Sequence, residues 1–215
     1  MNDFTVLSQL GEGSFGQVVK VRRNIDNKEY ALKKVRISTT QVKFDRQKKK
    51  DIENALNEVR ILASIDDPYI IRYKEAFYDQ TSQSMCIVME LAHGGDLQVH
   101  WYDIQSKIKA HKRRGSCFTE EEVWKVDFDL LNGLRALHDK KILHRDIKSA
   151  NAFFVDGTAK LGDMNVSKVT EASLAYTQTG TPYYASPEVW RDEPYSYKSD
   201  IWSLGCLLYE MCALR

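Results

Sequence analysis

His144-Arg145-Asp146-Ile147-Lys148-Ser149-Ala150-Asn151 places a carboxylate, cationic side chains and a carboxamide in one short stretch. An aspartate so placed can accept the proton of an attacking hydroxyl, and an asparagine oxygen can ligate a divalent metal. The two recur together in the catalytic loops of phosphoryl-transfer enzymes. Those roles fall to Asp146 and Asn151. The tripeptide His-Arg-Asp alone fits an ordinary capped turn equally well, so its partners elsewhere in the chain carry the decision.

Working outward, Gly11-Glu12-Gly13-Ser14-Phe15-Gly16-Gln17-Val18 is a G-x-G-x-x-G-x-V run inside a strand-rich segment. Alternating apolar residues flank it, as in Val18-Val19-Lys20-Val21 and Tyr30-Ala31-Leu32-Lys33, which predicts antiparallel strands from Phe4 to Val35. Gly11, Gly13 and Gly16 let backbone approach phosphate without a Cβ in the way. A dinucleotide-binding turn would need a helix after Gly16, and no helical period follows. Lys33 lies on the next strand, where its ammonium can neutralise α- and β-phosphates. Apolar positions Ile52, Leu56, Val59, Leu62 and Ala63 predict an amphipathic helix from about Lys48 to Ile65, closed by Asp67-Pro68 and carrying Glu58 to hold that ammonium.

Further strands are expected around Ile70 to Phe77 and Met85 to Met89, then a break at Gly94-Gly95. Helices are expected over Glu120 to Leu137 and Ser199 to Met211, with Thr119 and Ser199 as N-caps. A strand-rich part thus precedes a helix-rich part, with a hinge near Glu90 to Gly95 and a ligand cleft between the two. After a short strand at Ala159 to Leu161, Asp163-Met164-Asn165 supplies a second metal ligand, Asp163. Asp200 is expected to accept hydrogen bonds from the backbone of the 144–151 loop.

Composition narrows the function classes. The 215 residues are 43% hydrophobic, enough for one substantial core or two small ones. Lys and Arg number 31 against 30 Asp and Glu, so no global field favours nucleic acid or an acidic membrane. The basic runs Lys43 to Lys50 and Lys107 to Arg114 read as solvated faces. Cys86, Cys117, Cys206 and Cys212 show no metal-binding spacing and read as reduced, mostly buried thiols. With no leader pattern at the N-terminus and no long apolar run, a cytoplasmic setting is expected.

Taken in order, these pieces resemble a eukaryotic protein kinase. In Ala55-Leu56-Asn57-Glu58-Val59-Arg60-Ile61-Leu62, Gly94-Gly95-Asp96-Leu97, Lys141 to Asp146, Gly180-Thr181-Pro182-Tyr183-Tyr184 and Lys198 to Cys206 they resemble the NIMA-related (NEK) Ser/Thr kinases. The resemblance implies an α+β, two-lobed fold, with an N-terminal lobe and hinge over 1–92 and a partial helical lobe over 93–215. It implies ATP and Mg²⁺ as cofactors and a protein substrate bearing Ser or Thr, Lys148 being the marker of that specificity. Met89 becomes the gatekeeper, Glu90 to Ala92 the adenine-binding hinge, and Leu10, Val18, Ala31 and Phe153 further nucleotide contacts. His144, Met164, Leu62 and Tyr73 would form a regulatory stack. Cytoskeletal or ciliary partners follow from the family alone. An activating phosphate at Thr177 would pair with Arg145.

The departures are Met and Asn in place of Phe and Gly after Asp163, and two apparent insertions, Val42 to Gln47 and Val99 to Gln105. Each inserted segment begins with Val, ends with Gln and follows Gln, as retained short introns would give where a stop codon is read as Gln. A complete domain continues past the Asp200 helix, so Ile201, Leu204, Leu208 and Met211 are expected to form an exposed apolar patch. A truncated, catalytically silent binding fold is therefore the rival reading.

Overall fold

The computed structural model describes residues 3–13, 16–36, 53, 56, 59–60, 62–100, 118–164 and 183–213. Among these the chain forms two compact units. One holds the described residues up to Asp66 together with residues 72–91; the other holds residues 67–71 and the described residues from Ala92 onward.

The first unit is a five-stranded antiparallel sheet in the order β1-β2-β3-β5-β4. Its strands are β1 (Phe4–Gly13), β2 (Gly16–Arg23), β3 (Glu29–Arg36), β4 (Tyr73–Asp79) and β5 (Ser84–Glu90). Period-two alternation puts Val19 and Val21, Tyr30 and Leu32, and Cys86 and Val88 into one buried cluster, with Phe4 and Phe77 packed against it. The rings of Phe4 and Phe77 stack with centroids 6.0 Å apart. The described residues between 53 and 63 are helical, and Val59 and Leu62 are buried, as the periodicity requires.

β4 begins at Tyr73, three residues later than expected from the apolar run at Ile70. Ile70 and Ile71 are buried for another reason: Ile70 forms an isolated parallel bridge with Leu161, and Ile71 N–H donates to Leu161 O at 2.8 Å. Both belong to the second unit.

That second unit is built on helices α1 (Glu120–Asp139), α2 (Pro187–Trp190) and α3 (Tyr197–Ala213), with the hairpin β6 (Ala152–Val155) and β7 (Thr158–Leu161). Thr119 caps α1 as expected, within a reciprocal capping box: Glu122 N–H donates to Thr119 Oγ1 at 3.2 Å and Thr119 N–H to Glu122 Oε2 at 2.7 Å. Glu120, Glu121 and Glu122 in the first turn also suit the positive end of the helix dipole. Val126, Leu130, Leu134 and Leu137 form the buried stripe.

Expectations are corrected at Ser199, in the apolar patch and at Cys212. Ser199 is not an N-cap, because α3 starts at Tyr197; its hydroxyl donates to Glu188 Oε1 at 2.6 Å. Leu204 and Met211 are 3% and 1% exposed, since α3 packs on α1, and of the expected patch only Ile201 is exposed. Val99 and His100, read as the start of an insertion, are helical, with Val99 N–H on Asp96 Oδ1 at 2.8 Å. Residues 101–105, the segment 42–47 and both basic runs lie outside the described residues. The described cysteines are free thiols, but of these only Cys86 is buried, Cys206 being half-buried and Cys212 exposed, against the expectation of mostly buried thiols. No helix among the described residues is long and apolar enough to cross a membrane.

Candidate active site

The 144–151 loop is held by one buried carboxylate. Asp200, in the first turn of α3, is 0% exposed. Its Oδ2 accepts from His144 N–H at 3.1 Å and its Oδ1 from Arg145 N–H at 3.0 Å, as expected from the sequence. Two further donors reach it that no local pattern announces: His138 Nε2 lies 2.8 Å from Oδ2, and Tyr195 O–H donates to Oδ1 at 2.6 Å. Arg145 takes φ 66°, a left-handed conformation that costs a side-chain-bearing residue roughly 1–3 kcal/mol. Hydrogen bonds to a charged acceptor, worth about 1.5–3 kcal/mol each, are strong enough to hold it.

His144 is 1% exposed. Asp146 N–H donates to its Nδ1 at 3.3 Å, so the ring proton sits on Nε2, which donates to Gly162 O at 3.1 Å. Burial pushes the His144 pKa down, which favours this neutral tautomer.

Asp146 is one-third exposed, and both recorded contacts fall on Oδ2: Lys148 Nζ at 2.9 Å and Asn151 Nδ2 at 2.9 Å. Asn151 Nδ2 also donates to Asp146 O at 2.8 Å. With its amide nitrogen so committed, the Asn151 side chain has its oxygen as the atom able to ligate a metal. The 3₁₀ turn Ser149–Asn151 then leads into β6.

Asp163 follows β7, and its backbone is set by Gly162, whose N–H donates to Asn151 O at 3.0 Å. A Cβ on Gly162 would stand 2.8 Å from Phe153 Cδ2 and 2.9 Å from Ile71 Cγ1, so only glycine fits. Asp163 itself takes φ 51°, and Met164 is 4% exposed, filling an apolar slot. Asn151 and Asp163 offer hard oxygen donors. Mg²⁺ is usually held by one or two such groups plus phosphate oxygens and water, so the pair fits that ion. Among the described residues no cluster of three or more His, Cys, Asp or Glu suits a metal.

A second network was not read from the sequence. Tyr184 O–H donates to Glu210 Oε2 at 2.5 Å and lies 3.2 Å from Ser149 Oγ, while Ser203 Oγ donates to Tyr184 O at 2.8 Å. Burial, with the Glu210 carboxylate, pushes the Tyr184 phenol up to about 12. Tyr184 and α3 are thereby tied to the end of the catalytic loop.

In the first unit, Gly11 pairs with Val18 and Gly13 with Gly16 across the β1–β2 hairpin. Gly16 takes φ 140°, and a Cβ there would run into the Lys34 carbonyl. Lys33 sits on β3 opposite Val18 on one side and Ile87 on the other, and Ala31 opposite Met89. Leu10 is exposed, while Ala31 and Met89 are buried. Glu90 N–H donates to Arg72 O at 2.8 Å, and Arg72 N–H to Glu90 Oε2 at 3.2 Å. In the second unit Ala92 and Phe153 are half-buried, and Phe153 bridges Asp96. Leu62, Tyr73, His144 and Met164 are each buried, the first two in the first unit and the last two in the second. Glu58, Asn165, Thr177 and the rest of 165–182 lie outside the described residues.

Comparison with known proteins decides the family: the protein kinase domain profile matches residues 4–215. The chain belongs to the protein kinase family. Over its whole length it is 40% identical to the serine/threonine-protein kinase Nek1 of Mus musculus, of which it spans 17%. It is 37% identical to Nek3 of Mus musculus, spanning 39% of that protein, and 38% identical to Nek6 of Oryza sativa subsp. japonica, spanning 37%. The kinase domain described above therefore corresponds to well under half the length of these NIMA-related relatives.

Proposed function

We propose that the chain is an ATP- and Mg²⁺-dependent protein Ser/Thr kinase. The observation that carries this reading is the placement of Asp146, its Oδ2 fixed by Lys148 and Asn151 in a loop anchored on Asp200. Oδ1 of Asp146 is the oxygen that takes the proton from a Ser or Thr hydroxyl as that oxygen attacks the γ-phosphorus. The bond from γ-phosphorus to the β-phosphate bridging oxygen breaks, and ADP leaves with that electron pair. Lys148, beside the base, neutralises charge on the transferring group, and Lys33 with Glu58 orients the α- and β-phosphates. The glycines of the β1–β2 turn admit phosphate close to backbone. Asn151 through its amide oxygen and Asp163 through its carboxylate would hold Mg²⁺, which would supply neutralisation of the β- and γ-phosphate charge. Catalysis then consists mainly of positioning and preorganised electrostatics.

The names of the relatives support a protein substrate with Ser or Thr acceptors. The test is transfer of radiolabelled γ-phosphate from ATP to a generic protein substrate, with phosphoamino-acid analysis of the product. Phosphoserine or phosphothreonine, dependent on Mg²⁺ and on Asp146, is the expected result. A folded chain that binds ATP without transferring phosphate would instead establish the silent binding fold.

A further inference from the structure

Asp200 takes two donors on each carboxylate oxygen, and each oxygen receives one backbone N–H from the catalytic loop and one side-chain donor from elsewhere. On Oδ1 the pair is Arg145 N–H at 3.0 Å and Tyr195 O–H at 2.6 Å; on Oδ2 it is His144 N–H at 3.1 Å and His138 Nε2 at 2.8 Å. The terminal torsion of an aspartate is soft, so the two backbone donors alone would not fix the plane of the carboxylate. The side-chain donors fix it. The shortest of the four contacts falls on the oxygen that holds Arg145, the residue in the left-handed conformation immediately before the base.

We propose that Tyr195 is a positioning residue for phosphoryl transfer: its hydroxyl locks the Asp200 carboxylate, which holds Arg145 in its left-handed conformation and so sets the pose of Asp146. Tyr195 lies between α2 and α3, outside the catalytic loop, and acts only through Asp200. The two side-chain donors are not equivalent. Burial, then the Asp200 charge, raises the Tyr195 phenol above its ordinary range, so it remains a donor across the working pH range. His138 keeps a partly exposed ring, 4.7 Å from that of Tyr197, and donates from Nε2 only in the matching tautomer or when protonated.

The inference rests on the kinase reading for its catalytic part, and Tyr195→Phe in the full chain, which deletes only the hydroxyl, tests both parts separately. The first readout is amide hydrogen exchange at Arg145, compared with Ala159, whose N–H donates to the buried carboxylate of Asp129 at 2.9 Å in the same unit. Losing a hydrogen bond to a charged acceptor predicts exchange about tenfold faster at Arg145, with Ala159 within about twofold of the parent. Equal acceleration at both amides, the mark of general destabilisation, overturns the proposal, as does no acceleration at Arg145. The second readout is steady-state phosphorylation: kcat falls about tenfold while KM for ATP holds, because only the base is displaced. Unchanged kcat overturns the catalytic part. A parent chain that transfers no phosphate would sink the kinase reading instead, and the exchange data would still decide whether Tyr195 holds the loop.

Discussion

In residues 144–151 the backbone is held by one side chain, Asp200, which lies 56 positions from His144 and 55 from Arg145, whereas in the hairpin from Gly11 to Val18 it is held by its own ladder. The loop has a buried carboxylate at its centre, a neutral histidine, and an asparagine committed to the base. The hairpin has paired strands, a register shift between Gln9 and Gly11, and glycines where other residues would carry bulk. The first arrangement fixes the position of individual atoms. The second leaves a surface that another molecule can approach closely. The two segments thus use different chemistry, each within its own unit.

The comparison breaks most visibly at the base. Asp146→Asn is expected to lower kcat by about 10²–10⁴-fold while ATP affinity stays within about threefold, because the base acts in the transition state. Single-turnover transfer alongside calorimetric ATP titration checks this, and a matching loss of ATP binding would remove Asp146 from that role. Asp200→Ala should destabilise the second unit by about 2–4 kcal/mol, from a buried donor at His144 and a partly buried one at Arg145 left unsatisfied at about 1–2 kcal/mol each. Urea unfolding measures it. A loss under about 1 kcal/mol would mean that the loop is as self-supporting as the hairpin.

Within the hairpin the glycines divide. Gly16→Ala should cost about 1–3 kcal/mol, because its Cβ would meet the Lys34 carbonyl at a positive φ. Gly11→Ala, with nothing within 4 Å of the added carbon, should change stability by less than about 0.5 kcal/mol. Equal effects would show that steric fit does not separate the two positions.

The smallest expected effect per step concerns pH. The His144 pKa is lowered by burial from 6.5, so below that value the unfolded chain binds a proton that the folded chain refuses. Stability present above pH 6.5 is therefore lost as pH falls towards the folded pKa, with a slope of at most about 1.4 kcal/mol per unit. Unfolding curves between pH 7.5 and pH 5.5 on the order of those used for Asp200→Ala, repeated on His144→Gln, should show a shallower slope in the variant. An unchanged slope would assign the dependence to other groups.

Much of the fold was legible because its signals are local. Alternation announced β1 to β3, and Thr119 announced the start of α1. Ser199 misled because a serine ahead of an apolar run resembles a cap, while its actual partner, Glu188, lies in a different element. Ile70 and Ile71 resembled the start of β4 because an apolar pair does not reveal what buries it. The site followed the same division. Asp146, Asn151 and Asp163 were proposed from the residues themselves, and Lys148 from the family resemblance. Tyr195, His138, Tyr184, Glu210 and the steric need for Gly162 depend on contacts between distant segments, and no periodicity encodes those.

The β6–β7 hairpin lies between the two candidate metal ligands. Ala152 pairs with Leu161, Gly162 N–H closes on Asn151 O, and Asp163 follows at once. The two ligands are thus mounted on neighbouring rails of one ladder, and their separation is set by strand pairing rather than by side-chain reach. Such a mount works as a gauge: the spacing between these two candidate residues is a property of main-chain register, which a one-residue slip would reset by turning every side chain to the opposite face.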